Sequence, residues 1–181
     1  MNAAIYDVID FWFKELDRKQ WWVKDAALDK MMVSRFSTIH RQASQCELWS
    51  WRDSPQGRLA EIIVLDQFSR NIYRNQPESF ASDNLALSLA QHSVILGDAR
   101  ELTDEQRGFL YMPYMHSESS MIQLTAKRLF SEPQVAANQP SAQNHKAIID
   151  RFGRYPHRNE ILGRISTAEE LQFLTQPGSS F

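Results

Sequence analysis

Apolar residues recur at spacings of three and four along every long segment of the chain, a pattern typical of amphipathic α-helices. The two-residue alternation of Val- and Thr-rich strands does not occur. We therefore predict an all-α protein of seven to eight antiparallel helices with short connections, arranged as a helical-hairpin array. The predicted helices span residues 3–16, 25–39, 56–73, 82–96, 103–131 and 141–152, with a short last helix after 167.

Residues that commonly begin or end helices support these boundaries. Pro113 falls inside the helix predicted from residue 103, and we expect that helix to kink or restart there because proline lacks a backbone N–H. The stretch SEPQVAANQPS at 131–141 is predicted to be a loop, with Ser141 beginning the next helix. The remaining predicted caps and stops are Asp25, Gly97, Thr103 with Gln106, Gly153, and Ser166 or Thr167 with Glu169 or Glu170.

Composition and charge restrict the classes of function. The 181 residues, 43% hydrophobic, fit one globular domain spanning residues 1–181. A net charge of −2 argues against a nucleic-acid-binding protein, which is normally basic. The single cysteine, Cys46, excludes an internal disulfide and a multi-thiolate metal site. The longest aliphatic run, at 62–65, is too short to cross a membrane, and the N-terminus is a poor signal peptide, so we expect a cytoplasmic protein without membrane contact.

Two charged residues interrupt an apolar stripe of the helix predicted at 56–73. Leu59, Ile62 and Ile63 define a stripe that continues at helical spacing onto Asp66 and Arg70. The other face of this helix is also apolar, which is typical of a buried element. Because a buried carboxylate needs a partner, we predict an internal ion pair between Asp66 and Arg70, four residues apart.

The segment after Pro113 contains two further candidates. Glu118 falls between Met115 and Ile122 on an apolar face, so we expect its carboxylate to point inward. His116 is expected on a different face, toward that of Ser120, Gln123 and Lys127, which makes the HSE sequence a weak metal motif. Both residues are candidates for proton transfer.

His145 is the third candidate for proton transfer. Ile148, Ile149 and Phe152 follow it by three, four and seven residues, so His145 extends a buried stripe. A catalytic histidine and a structural histidine with satisfied ring nitrogens are both compatible with this position.

The segment RFGRYPHRNEILGR at 151–164 concentrates positive charge in one connection. Guanidinium groups bind carboxylates and phosphates alike. The inward carboxylates of Asp66 and Glu118 are outnumbered by the guanidinium groups of Arg70, Arg154, Arg158 and Arg164, and His157 adds to the excess. Surplus buried positive charge predicts a bound anion, whereas a fully paired network predicts a structural role. The candidate ligand-binding residues are Asp66, Arg70, Arg151, Arg154, His157, Arg158, Asn159 and Arg164.

Three motifs, LDQFSRNIYR (65–74), YMPYMHSES (111–119) and RFGRYPHRNEILGR followed by STAEE (151–170), together resemble the bacterial family called domain of unknown function 924. They occur in the expected order and span most of the chain. The resemblance implies an all-helical, tetratricopeptide-like fold but no established reaction. One departure is Ser69, where the family usually has proline. The family pattern matches at Asp66, Gln67, Arg70, Asn71, Pro113, His116, Glu118, His145, Arg151, Gly153, Arg154, Pro156, His157, Arg158 and Asn159.

Two functions of different classes follow. The first is a pocket in which arginines bind a small anionic molecule while His116, Glu118 or His145 transfers a proton. The second is a tetratricopeptide-like module that binds a peptide, for instance through its carboxylate, and whose polar cluster is structural. RNA binding is less favoured, as is a metal centre of Asp66, His116, Glu118 and His145, because the nearby arginines disfavour a cation. Nucleophile motifs and phosphate-binding glycine loops do not occur, and no cofactor or metal is predicted.

Overall fold

The computed structural model describes residues 3–181 and places them in helices and short connections, without a β-strand in that range. The all-α prediction is therefore confirmed. If Pro55–Ile63 and Ser69–Ile72 are counted as one interrupted helix and the single turn Glu78–Ala81 is set aside, residues 3–181 form eight helices, in agreement with the predicted number. The α-helices are α1 Ala3–Asp10, α2 Ala26–Ser44, α3 Pro55–Ile63, α4 Ser69–Ile72, α5 Glu78–Ala81, α6 Asp83–Leu96, α7 Asp104–His116, α8 Ser120–Leu129, α9 Gln139–Phe152 and α10 Ala168–Leu174.

Two π-helical segments extend or join these helices. Phe11–Glu15 continues α1, and Val64–Phe68 joins α3 to α4. The second segment contains five buried residues, including both Asp66 and Gln67. A π turn adds a residue to one helical turn and is frequent at functional sites. This turn places two adjacent polar side chains in the interior of an otherwise apolar helix.

Most helices begin or end at the capping residues predicted from the sequence. The Asp25 carboxylate accepts hydrogen bonds from the first turn of α2. Capping boxes form between Thr103 and Gln106 and between Thr167 and Glu170. The left-handed glycines that follow α6 and α9 are Gly97 and Gly153.

Two boundaries differ from the prediction. Helix α7 passes through Pro113 and ends three residues later, at His116, before α8 restarts at Ser120. The predicted loop at 131–141 instead contains a 3₁₀ helix, Pro133–Asn138, and α9 begins at Gln139 with proline in its first turn.

The end of α7 is set by side chains from distant parts of the chain. Gln123 donates its amide N–H to the carbonyl oxygens of Met115 (2.8 Å) and Ser117 (2.7 Å). The Tyr155 hydroxyl donates to Met115 O at 2.5 Å, and Arg158 donates to His116 O at 3.0 Å. These donors satisfy carbonyls that a helix C-terminus leaves without partners, so α7 can end inside the protein.

The core lies between α1, α2, α3 and α7, with α8 and α9 packed beside α7. Its largest fully buried side chains include Trp12, Phe36 and Phe68, whose rings contact one another or a shared neighbour. A smaller cluster of Ile148, Ile149 and Tyr155 attaches the connection after α9. Within residues 3–181, no helix combines the length and the apolar character needed to span a bilayer.

Candidate functional site

A cavity of about 390 Å³ opens where the start of α6, the end of α7 and the 3₁₀ turn Pro156–Arg158 meet. We refer to it as the His116 cleft. Pro77, Phe80, Ala81 and Leu162 contribute its apolar wall. The polar wall consists of Asp83, Asn84, His116, Ser117, Glu118 and Arg158.

A buried carboxylate orients His116. The Nδ1 atom of His116 lies 2.7 Å from Asp66 Oδ1, and Asp66 is only 1% exposed. Because an ionised carboxylate only accepts hydrogen bonds, His116 Nδ1 carries a proton and donates it to Asp66. Burial opposes ionisation of Asp66, but His116 and Arg70 outweigh it and hold the pKa of this carboxyl below its usual range. Asp66 therefore stays charged and fixes the ring tautomer.

The position of His116 corrects the prediction that it shares a helix face with Ser120, Gln123 and Lys127. That prediction assumed one continuous helix from Pro113 to residue 131, whereas α7 ends at His116 itself. At this position His116 is only slightly exposed and faces the π segment of α3 and α4. Its Nε2 atom has no hydrogen-bond partner among residues 3–181 and is not buried.

Asp83 lies between two arginines and was missed as a site residue. Its carboxylate accepts hydrogen bonds from Arg70 Nη1 and Nη2 at 3.0 and 3.2 Å, and from Arg158 Nη1 at 3.1 Å. Arg70 also pairs with Asp66 at 3.3 Å, which confirms the predicted internal ion pair. Arg158 is 5% exposed and packs over the Phe80 ring. The sequence signal at Asp83 was an acidic residue at a helix start, which gave no information about its partners.

Glu118 closes the other side of the cleft. It lies in the break between α7 and α8, where its carboxylate accepts two hydrogen bonds from Arg164, at 2.7 and 2.9 Å, and one from the Tyr155 backbone N–H at 2.7 Å. Burial opposes ionisation, but these donors lower the pKa of Glu118. Asn159 supports the pair, since its Oδ1 accepts from Arg164 Nε at 2.9 Å.

The ion-paired side chains in and behind the wall of the His116 cleft, which we call the cluster, carry equal numbers of positive and negative charges. The carboxylates of Asp66, Asp83 and Glu118 are matched by the guanidinium groups of Arg70, Arg158 and Arg164. The positive surplus counted from the sequence is therefore wrong, because the count omitted Asp83 and also Glu170, which pairs with Arg154. The six side chains of the cluster together carry no net charge.

Of the five predicted ligand-binding arginines, Arg158 lines the His116 cleft, and Arg70 and Arg164 pair with the carboxylates of its wall, whereas Arg151 and Arg154 lie elsewhere. Arg154 forms a double hydrogen bond with Glu170, at 2.6 and 2.8 Å, and also donates to Ile165 O. Arg151 pairs with Glu169 and is half-exposed. Arg151 thus links α9 to α10, and Arg154 links α10 to the connection after α9.

His145 and His157 lie behind the cleft and do not line it. The ring centroid of His145 is 6.2 Å from that of His116. Burial and then nearby positive groups, chiefly His116 for His145 and Arg158 for His157, lower the pKa of each ring to about 3. Within residues 3–181, no group of three or more His, Cys, Asp or Glu side chains could hold a metal ion.

The pairing of Asp66 with His116 gives the cleft one group able to exchange a proton. A carboxylate that accepts from one imidazole nitrogen orients the ring and leaves the other nitrogen for a different partner. Arg70, Arg158 and Arg164 each pair with a carboxylate, whereas Arg158 Nε is buried without a hydrogen-bond partner within residues 3–181.

Comparisons with known proteins agree on one relationship. The family model described as "Bacterial protein of unknown function (DUF924)" matches residues 8–178. The chain is also similar to a solved structure titled "Structure of Protein of Unknown Function ATU0120 from Agrobacterium tumefaciens", with 37% sequence identity, a TM-score of 0.90, and coverage of 95% of this chain and 97% of that chain. A comparison with curated proteins gives no match. The chain belongs to the DUF924 family of bacterial proteins of unknown function.

Proposed function

We propose that the His116 cleft binds a small molecule carrying a carboxylate or phosphate group, and that His116 transfers a proton to or from this molecule. The observation that carries the proposal is the buried Asp66 carboxylate 2.7 Å from His116 Nδ1, which leaves Nε2 accessible in a cavity of about 390 Å³. This volume accommodates a small metabolite, and the cavity wall is partly apolar, as in many small-molecule sites.

The ion pairs of the cluster restrict which group can balance the charge of a bound anion. The pKa values of Asp66 and Glu118 are held below their usual range, so neither carboxylate readily takes up a proton. The arginines retain their protons at all ordinary pH values. We therefore assign the balancing positive charge to His116, whose imidazolium form can pair with one bound negative charge.

Substitution of His116 by glutamine is expected to weaken binding of a small anion by about tenfold or more, because the charged hydrogen bond from the imidazolium is lost. The probes are inorganic phosphate, sulfate and acetate, each titrated at millimolar concentration into the ¹⁵N-labelled protein while amide chemical shifts are recorded. The expected shifts cluster around Asp83, His116 and Arg158.

The matched control is His92→Gln, which changes an exposed histidine of α6 away from the cleft. The control should bind each probe as the unsubstituted protein does. Absence of shifts with all three anions, or equal affinity in the His116→Gln and His92→Gln variants, would contradict the proposed function.

A further inference from the structure

Three ring side chains surround the aromatic ring of Phe181. The centroid of the Phe181 ring lies 3.6 Å from that of His145, 4.5 Å from that of His157 and 5.3 Å from that of Tyr155. We call the site that these three rings form, and that the Phe181 ring fills, the ring slot. Phe181 itself is 52% exposed, so its ring covers the slot from the solvent side. A turn after α10, in which Ser179 donates to Leu174 O at 3.1 Å, holds the covering residue in place.

His145 brings an unsatisfied acceptor to the ring slot. Its Nδ1 atom donates to Ser141 O at 2.7 Å, and a carbonyl can only accept, so Nδ1 carries the proton. The pKa of this ring is lowered to about 3, chiefly by burial and then by His116, so the ring is neutral near pH 7 and Nε2 holds a lone pair. The residue is 6% exposed, and Nε2 is buried without a hydrogen-bond partner among residues 3–181. A buried acceptor without a donor costs free energy.

The other members of the ring slot are fixed in position. The Tyr155 hydroxyl donates to Met115 O and accepts from Gln123 Nε2, so Tyr155 contributes only its ring. His157 has a second buried nitrogen, Nδ1, without a partner in the described chain. The slot thus combines aromatic walls with polar atoms that a phenylalanine ring cannot satisfy.

We propose that the ring slot is a binding site for an aromatic ring that carries a hydrogen-bond donor, such as a phenol or an indole. In the absence of this ligand the Phe181 ring fills the slot. It contacts the same three rings, but it has no hydrogen-bond donor for His145 Nε2. The ligand's O–H or N–H donates to His145 Nε2, and its ring takes the place of the Phe181 ring.

The surroundings of the slot leave room for substituents on such a ring. His157 also lines a second cavity, of about 500 Å³, together with Pro156, Arg164 and Leu171. Because His116 is not a member of the ring slot, this proposal does not depend on proton transfer in the His116 cleft, and the two are tested with different probes and variants.

The test compares phenol with anisole in a Phe181→Ala variant, which removes a half-exposed ring and opens the slot. Anisole has the same ring and an extra methyl group, so apolar burial alone favours anisole. A donated hydrogen bond to His145 instead makes phenol bind about threefold or more tightly than anisole, as measured by amide chemical-shift titration. The unsubstituted protein is expected to bind phenol more weakly than Phe181→Ala, because Phe181 must first leave the slot.

A second variant, His145→Phe, keeps a ring in the wall and removes the acceptor. It is introduced into Phe181→Ala and should abolish the preference for phenol while leaving anisole binding unchanged. Binding of anisole as tight as that of phenol in folded Phe181→Ala, or no binding of either, would overturn the proposal. If the double variant does not fold, the comparison of phenol with anisole in Phe181→Ala decides alone. If Phe181→Ala does not fold either, the same comparison is made in Phe181→Leu.

Discussion

Substitution of Asp83 by asparagine is expected to lower the free energy of unfolding by about 3–5 kcal/mol, the usual cost of breaking a buried ion pair from one side. Asparagine keeps the shape of the side chain but removes the charge that separates Arg70 from Arg158. Arg158 is the more affected of the two, because its side chain is 6% exposed and its only carboxylate partner within residues 3–181 is Asp83. Arg70 retains Asp66 at 3.3 Å.

Urea unfolding at neutral pH measures this loss. The matched control is Asp150→Asn, which breaks the exposed ion pair between Asp150 and Lys146 on α9 and should cost less than about 1 kcal/mol. In the double variant Asp83→Asn, Arg158→Met, the loss should be smaller than the sum of the two single losses, because the two side chains interact directly. A loss for Asp83→Asn no larger than for Asp150→Asn would show that Asp83 does not stabilise the cluster.

Acidification is expected to destabilise the protein well above the pH at which carboxylates titrate. The pKa values of His145 and His157 are about 3 in the folded protein and about 6.5 in the unfolded chain, so the unfolded state binds more protons between these values. The free energy of unfolding therefore falls as the pH drops below about 6.5, by up to about 2.7 kcal/mol per pH unit for the two rings together. The decline continues until the protein unfolds or the pH reaches about 3.

The carboxylates act in a lower pH range. The pKa of Glu118 is lowered on folding, so its stabilising contribution is present above the unfolded value of about 4 and is lost only as the pH falls further. Measurements between pH 7 and 5 therefore isolate the histidines, including His40, whose pKa is also lowered by burial.

Urea unfolding at several pH values tests the contribution of each ring. His145→Gln and His157→Gln should each reduce the slope by up to about 1.4 kcal/mol per pH unit. A flat profile between pH 7 and 5 in the unsubstituted protein would rule out two buried neutral histidines.

The fold class and most helix ends could be predicted because they depend on local signals. Apolar spacing places the helices, and the capping box at Thr103 and Gln106 formed as expected. The break after His116 could not be predicted in the same way, because its cause lies in donors from Gln123, Tyr155 and Arg158, which are remote in sequence. Pro113 correctly predicted that the helix is interrupted, but the interruption lies after His116 and not at the proline.

The candidate site could also be predicted only in part. The inward positions of Asp66, Arg70 and His145 follow from helical periodicity and are confirmed by their burial or by the Asp66–Arg70 contact. The charge count failed because Asp83 and Glu170 begin or cap helices, and a helix-start acid can be solvated or paired with equal sequence evidence. Partners of arginines in a loop depend on tertiary packing, which the spacing of residues does not encode.

Isothermal titration calorimetry with inorganic phosphate tests the central claim, that His116 exchanges a proton with an anion bound in the cleft, most directly. Titrations in buffers of different ionisation enthalpy give the number of protons taken up on binding. The account predicts uptake of up to one proton per phosphate bound, affinity that falls as the pH rises, and loss of this uptake in His116→Gln. Binding without proton uptake, or uptake that persists in His116→Gln, would contradict it.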